Sequence, residues 1–131
     1  MNKKQLSKYY YLTLEIKDIE TKIQEIESTI ISSSKLTGMP HGSIKSDPVS
    51  KKAELLVTLK KRLEKRKEEA MQRMIEIENY IAEIDDSAIK LIFTKRYIEL
   101  KKWYQIANEM FMSERSVYRK HSSYFRRSKH D

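Results

Sequence analysis

"SSSKLTGMPHGSIKSDP", Ser32 to Pro48, holds every strong helix breaker in the chain: Gly38, Pro40, Gly42 and Pro48. No glycine or proline occurs in the 31 residues before it or the 83 after it. Glycine and proline are the residues that interrupt helices most effectively, so the stretch reads as one connector between long helical flanks.

Upstream, Tyr9, Leu12, Ile16, Ile19, Ile23, Ile26 and Ile30 recur at alternating spacings of three and four, the apolar seam of a coiled coil. Downstream, Leu56, Leu59, Leu63, Ala70, Met74, Ile77, Ile81 and Ile84 form a similar seam, with Arg66 at one of its positions. Asp47 can cap the second helix, and Pro48 suits its first position because its fixed φ is already helical.

Charge decides how the two seams meet. Glu15 to Glu27 carries five acids against two bases, and Lys51 to Lys67 carries eight bases against two acids. Folding back at the connector lays the two blocks side by side, whereas a parallel dimeric coiled coil stacks like charges. An antiparallel hairpin over 1–84 with its connector at 32–48 is therefore expected. The same fold would bring Lys3, Lys4 and Lys8 near Glu68, Glu69, Glu76 and Glu78. Exposed pairs contribute only about 0 to 1 kcal/mol each, so charge selects orientation and the seam supplies most of the stability.

At "EIDDSAIK" the pattern changes. Asp85 or Asp86 can cap a helix through "SAIKLIFTKRYIEL" with Ile89, Ile92, Phe93 and Tyr97 on its apolar face. A shorter helix, "KKWYQIANEM", and a last one starting at Ser113 complete a three-helix unit over 85–131. A unit of this size is only marginally stable by itself. The expected fold is thus all-α: a long hairpin followed by a small helix-turn-helix domain.

The helix-turn-helix is read from spacing. Two helices that cross closely favour alanine on the first, here Ala107, with Ile106 and Met110 as its helix mates, Met112 anchoring the turn and Val117 facing inward from the next helix. Phe111 stands where such turns often place glycine to allow a positive φ. With Val117, His121, Tyr124 and Phe125 inward, the candidate base-reading residues are Ser113, Glu114, Arg115, Ser116, Tyr118, Arg119 and Ser122, since the first turns of such a helix enter the major groove. Arg115 and Arg119 can grip guanine's two acceptors. Lys101, Lys102, Lys120, Arg126, Arg127 and Lys129 are the candidates for backbone phosphates. Leu100 to His130 contains eight bases and two acids, part of a net charge of +8 for the 131-residue chain.

Other classes are disfavoured. Cysteine is absent, and His41, His121 and His130 are scattered without ligand spacing, so neither a metal nor a cofactor is expected. No Gly-rich phosphate loop occurs, and catalysis is not expected. The longest apolar runs fall far short of a membrane span, and "MNKKQLSKYY" lacks an apolar signal core, which predicts a cytoplasmic protein with no membrane partner and no small-molecule substrate.

"RYIELKKWYQIANEMFMSERSVYRKH" (96–121) resembles the phage late-gene transcriptional regulators of the RinA and ArpU type, whose carboxy-terminal part is similar to the fourth conserved region of sigma factors. "MPHGSIKSDPV" (39–49) looks like the connector of such proteins, and the similarity spans about Leu36 to His121. The resemblance implies double-stranded DNA as partner, activation of phage or prophage genes in a bacterial host, and Ser113, Glu114, Arg115, Tyr118, Arg119 and Ser122 on the DNA-facing side. Ile16, Ile19, Ile23, Ile26, Ile30, Leu56, Leu59 and Leu63 form the coiled-coil seam, and the hairpin they hold together is expected to mediate a homodimer or to meet RNA polymerase. A small-terminase-like packaging protein and a coiled-coil adaptor with an incidental basic tail are the alternatives.

Overall fold

The computed structural model describes residues 1–35 and 47–128. Five α-helices follow in order: α1 (Lys3–Lys35), α2 (Asp47–Ala82), α3 (Ser87–Phe93), α4 (Trp103–Met110) and α5 (Glu114–Ser128). A π-helical turn, Thr94–Ile98, extends α3, and no strand occurs among the described residues. None of these helices is long and apolar enough to cross a membrane. They form two compact units, Leu12–Glu69 and Met1–Tyr11 with Ala70–Asp131.

Helix occupies both ends of the expected connector, since α1 runs to Lys35 and α2 resumes at Asp47. The three serines at its start weaken a helix by only about half a kcal/mol each relative to alanine, which is too little to stop one already about eight turns long. The residues between, with His41, and the side chain of Asp47 lie outside the described residues.

In the unit Leu12–Glu69 the two long helices run antiparallel. Glu27 pairs with Lys60 at 3.4 Å and Glu15 with Arg66 at 2.9 Å, so partner numbers fall along α2 as they rise along α1. This pairing within one chain is the one the antiparallel hairpin expects. Ile23 and Leu59 are buried, while Ile16, Ile19, Ile26, Ile30, Leu56 and Leu63 are half-buried along the same stripe. Two helices enclose only a narrow seam. Arg66 is tolerated there because its guanidinium reaches outward to Glu15 and also lies 3.1 Å from Glu69.

The second unit has a deeper core. Leu6 from the first turns of α1, Ile77 and Ile81 from the end of α2, Ile84 just beyond it, and Ile89, Phe93 and Tyr97 form one buried cluster. Ile92, Ile106, Ala107 and Val117 form another. The three short helices are thus supported by two further segments, which supplies the apolar area that 45 residues lack alone. Asp86 caps α3, its carboxylate accepting the Ile89 N–H at 3.0 Å. That bond, more than any charge, holds the Asp86 carboxyl below its usual range.

The expected single helix from Ser87 to Leu100 ends differently. The Glu99 N–H reaches the Thr94 carbonyl at 3.0 Å, a wider turn than α-helix, and Leu100 then adopts φ 58°. The Lys101 N–H closes on the Lys95 carbonyl at 2.9 Å, the long bond of a left-handed helix terminus. Leucine in this conformation costs about 1 to 2 kcal/mol. The Arg96 guanidinium braces the corner, donating to the Lys101 carbonyl at 3.0 Å and stacking over the Trp103 ring at 4.5 Å.

Candidate nucleic-acid interface

Helix α4 starts where the Gln105 side chain accepts the Lys102 N–H at 2.9 Å, and it ends where Phe111 turns left-handed at φ 56°, ψ 43°. The Met112 N–H then closes on the Ala107 carbonyl at 3.0 Å. Phe111 therefore occupies the conformation that glycine usually supplies in such turns. Its ring is 96% exposed and gains nothing by packing. Met112 turns back, half-buried, against the second cluster.

Ser113 starts α5 by accepting the Ser116 N–H at 3.1 Å, and its own hydroxyl donates to Ser116 Oγ at 2.9 Å. Both hydroxyls are engaged in holding the helix start. Ile106, Ala107 and Val117 are buried where α4 and α5 cross, as their spacing predicts. A methyl group at 107 is what lets the two backbones approach.

A charged brace holds the entry to this pair. Glu109 accepts from Lys101 at 2.6 Å and from Lys95 at 2.9 Å, and Lys101 also pairs with Glu99 at 3.0 Å. These bonds hold the Glu109 carboxyl below its usual range and the Lys101 ammonium above. Lys101, a candidate for phosphate, thus stands in a structural cluster. Lys102 is exposed beside it.

The inward side of α5 is sealed by aromatic rings around His121. Its ring lies 4.8 Å from Trp103, 5.1 Å from Phe93 and Phe125, and 5.9 Å from Tyr118, and Nε2 is hydrogen-bonded to the Tyr97 hydroxyl. Burial, aided by the charges of Lys3 and Arg96, lowers the His121 pKa to about 4, and burial pushes the Tyr97 phenol up. His121 is accordingly a neutral packing residue at pH 7.

The opposite side faces out. Glu114, Arg115, Tyr118 and Arg119 are exposed, and Ser116 and Ser122 are half-buried at its edges. Among the described residues no ion pair engages Arg115, Arg119, Arg126 or Arg127, whereas Lys60 and Arg66 on the hairpin and Lys95 and Lys101 at the α4 entry are paired. Lys120 is half-buried, and Lys129 lies outside the described residues. One neighbour was not legible in the sequence. Lys3 donates to the Tyr118 hydroxyl at 3.3 Å and sits 5.1 Å over its ring, which lowers the Tyr118 pKa. The expected approach of Lys3 to the acids of α2 gives way to this contact. Glu69 and Glu76 pair instead with Arg66 and Arg73 on their own helix at 3.1 Å, because neighbours one turn away compete more cheaply than a distant lysine.

Residues 25–127 match the family described as a protein of unknown function (DUF1492), and the chain belongs to that family. No curated protein and no solved structure matches it.

Proposed function

We propose that this DUF1492 member is a sequence-specific, double-stranded DNA-binding regulator of transcription that lays α5 in the major groove. The observation that carries the reading is the division of α5 into two sides. One is sealed against α4 and the aromatic core, and the other presents Arg115, Tyr118 and Arg119 with both arginines unpaired among the described residues. Arginine offers planar, bidentate donors that match guanine's O6 and N7, so exposed arginines one helical turn apart suit base recognition. Arg126, Arg127, Lys102 and Lys120 then serve the phosphates, with Lys101 acting chiefly as a brace. In keeping with the resemblance to RinA- and ArpU-type regulators, the targets are promoters of phage or prophage late genes, activated in the cytoplasm of a bacterial host. Leu14, Leu55 and Val57 remain exposed on the hairpin and offer apolar surface for a second copy or for RNA polymerase.

The test is recovery of bound fragments from sheared host and phage DNA at about 150 mM salt, a concentration at which weak phosphate contacts are screened. Sharp sites beside promoters, absent with Arg115→Ala/Arg119→Ala, are expected. A ring-shaped oligomer that selects a packaging-gene site would replace the reading with a packaging protein. Diffuse or absent recovery overturns it.

A further inference from the structure

The first turn of α1 lies beside α5, although more than a hundred residues separate them in sequence. Lys3 contacts Tyr118, and Lys3 and Lys4 line a groove of about 510 Å³ together with Asn2, Ser122, Phe125 and Arg126. A second hollow, about 350 Å³, continues along α1 past Lys3, Lys4, Lys8 and Tyr11. Among the described residues no carboxylate lines either one. Lys3, Lys4, Lys8 and Arg126 thus gather their charge around these two hollows.

These lysines are carried by a fixed support. Asn2 accepts the Gln5 N–H at 2.9 Å, Gln5 in return accepts the Asn2 N–H at 3.0 Å, and Leu6 is buried at 1% exposure among Ile77, Ile81 and Phe93. The position of the two ammonium groups relative to α5 is therefore set by packing rather than by a loose terminus. Holding them there loses less side-chain freedom on binding than a flexible tail would.

We infer that Lys3 and Lys4 belong to the DNA-binding surface, flanking α5 so that Lys4 and Arg126 grip the phosphate backbone bordering the groove that α5 enters, while Lys3 holds Tyr118 in position. The inference rests on the proposed DNA-binding role. It adds a contact that the helix-turn-helix sequence does not contain. Each phosphate neutralised steepens the dependence of log affinity on log salt by about 0.9 for duplex DNA, so a two-lysine contribution is measurable.

The experiment titrates the full chain with a random-sequence duplex of about 30 base pairs over roughly 50 to 300 mM salt, and compares wild type with Lys4→Gln, Lys3→Gln/Lys4→Gln and a hairpin control, Lys61→Gln. The salt slope is expected to fall by about 1 for Lys4→Gln and further for the double variant, with Lys61→Gln unchanged. Melting curves check that the variants fold. The chain has no cysteine, so Lys4→Cys also gives a unique thiol for a backbone-cleaving reagent, expected to cut the duplex beside the protected site. If wild type binds and Arg115→Ala/Arg119→Ala weakens it, yet Lys4→Gln keeps its slope and position 4 yields no cleavage, the inference is wrong and the DNA-binding role stands. If wild type does not bind duplex even at low salt, both fall together.

Discussion

The unit Leu12–Glu69 and the unit built from Met1–Tyr11 with Ala70–Asp131 use the same residue types to opposite ends. In the first, charges meet across the seam, Glu27 with Lys60 and Glu15 with Arg66, and among the described residues only Ile23 and Leu59 are buried. In the second, a dozen apolar side chains and His121 are buried among the described residues, with which the arginines of α5 form no ion pair. A thin core needs charge to choose its orientation. A deep core holds without charge across it, and the outward arginines of α5 are left for a partner.

The largest effect should separate the two cores. Phe93 is fully buried and packs against Tyr80, Tyr97, His121, Tyr124 and Phe125. Phe93→Ala should destabilise its unit by about 3 to 5 kcal/mol, visible in the denaturant midpoint of Trp103 fluorescence. Ile23→Lys should reduce far-ultraviolet helicity from the hairpin while leaving that Trp103 transition near its wild-type midpoint. Coincident loss of both signals would mean that the cores do not unfold separately.

Next comes pH. The folded His121 titrates near 4 against about 6.5 unfolded, so below the unfolded value the unfolded state takes up the proton first. Stability is fully present above about pH 6.5 and should fall by roughly 3 kcal/mol as pH drops towards 4. The chain with His121→Phe should lose most of that dependence in urea melts at matched pH. A pH-independent midpoint in wild type would place His121 in solvent.

The smallest effect lies in the turn. Phe111 holds φ 56° with its ring in water, so Phe111→Gly should raise stability by about 1 kcal/mol, the left-handed penalty less the added freedom of the unfolded chain. A loss of stability would mean that the exposed ring has a packing role.

Much of this architecture is legible in sequence because local rules govern it. Gly38 to Pro48 marks the only interruption between two apolar seams, Asp86 precedes an apolar face as a cap should, and Ala107, Met112 and Val117 stand at crossing distance. The helix ending at Leu100 was not legible, since its left-handed turn is made by leucine and carries no glycine signal. Nor were the Glu109 brace and the Lys3 to Tyr118 contact. Charge patterning alone sent Lys3 towards the acids of α2, but the burial of Leu6 sets where α1 begins, and side-chain charges then take the partners within reach. The outward side of α5 was legible because the residues opposite it are those whose spacing demands burial. What it reads is a matter of base edges, which no helix period encodes.

The most direct measurement is the affinity of wild type and Arg119→Ala for every single-base variant of a recovered site at fixed salt. If Arg119 reads a base, the variant loses about 1 to 3 kcal/mol of discrimination at one position and keeps the rest. An unchanged preference at all positions, with only a shallower salt slope, would contradict base reading by the outward side of α5.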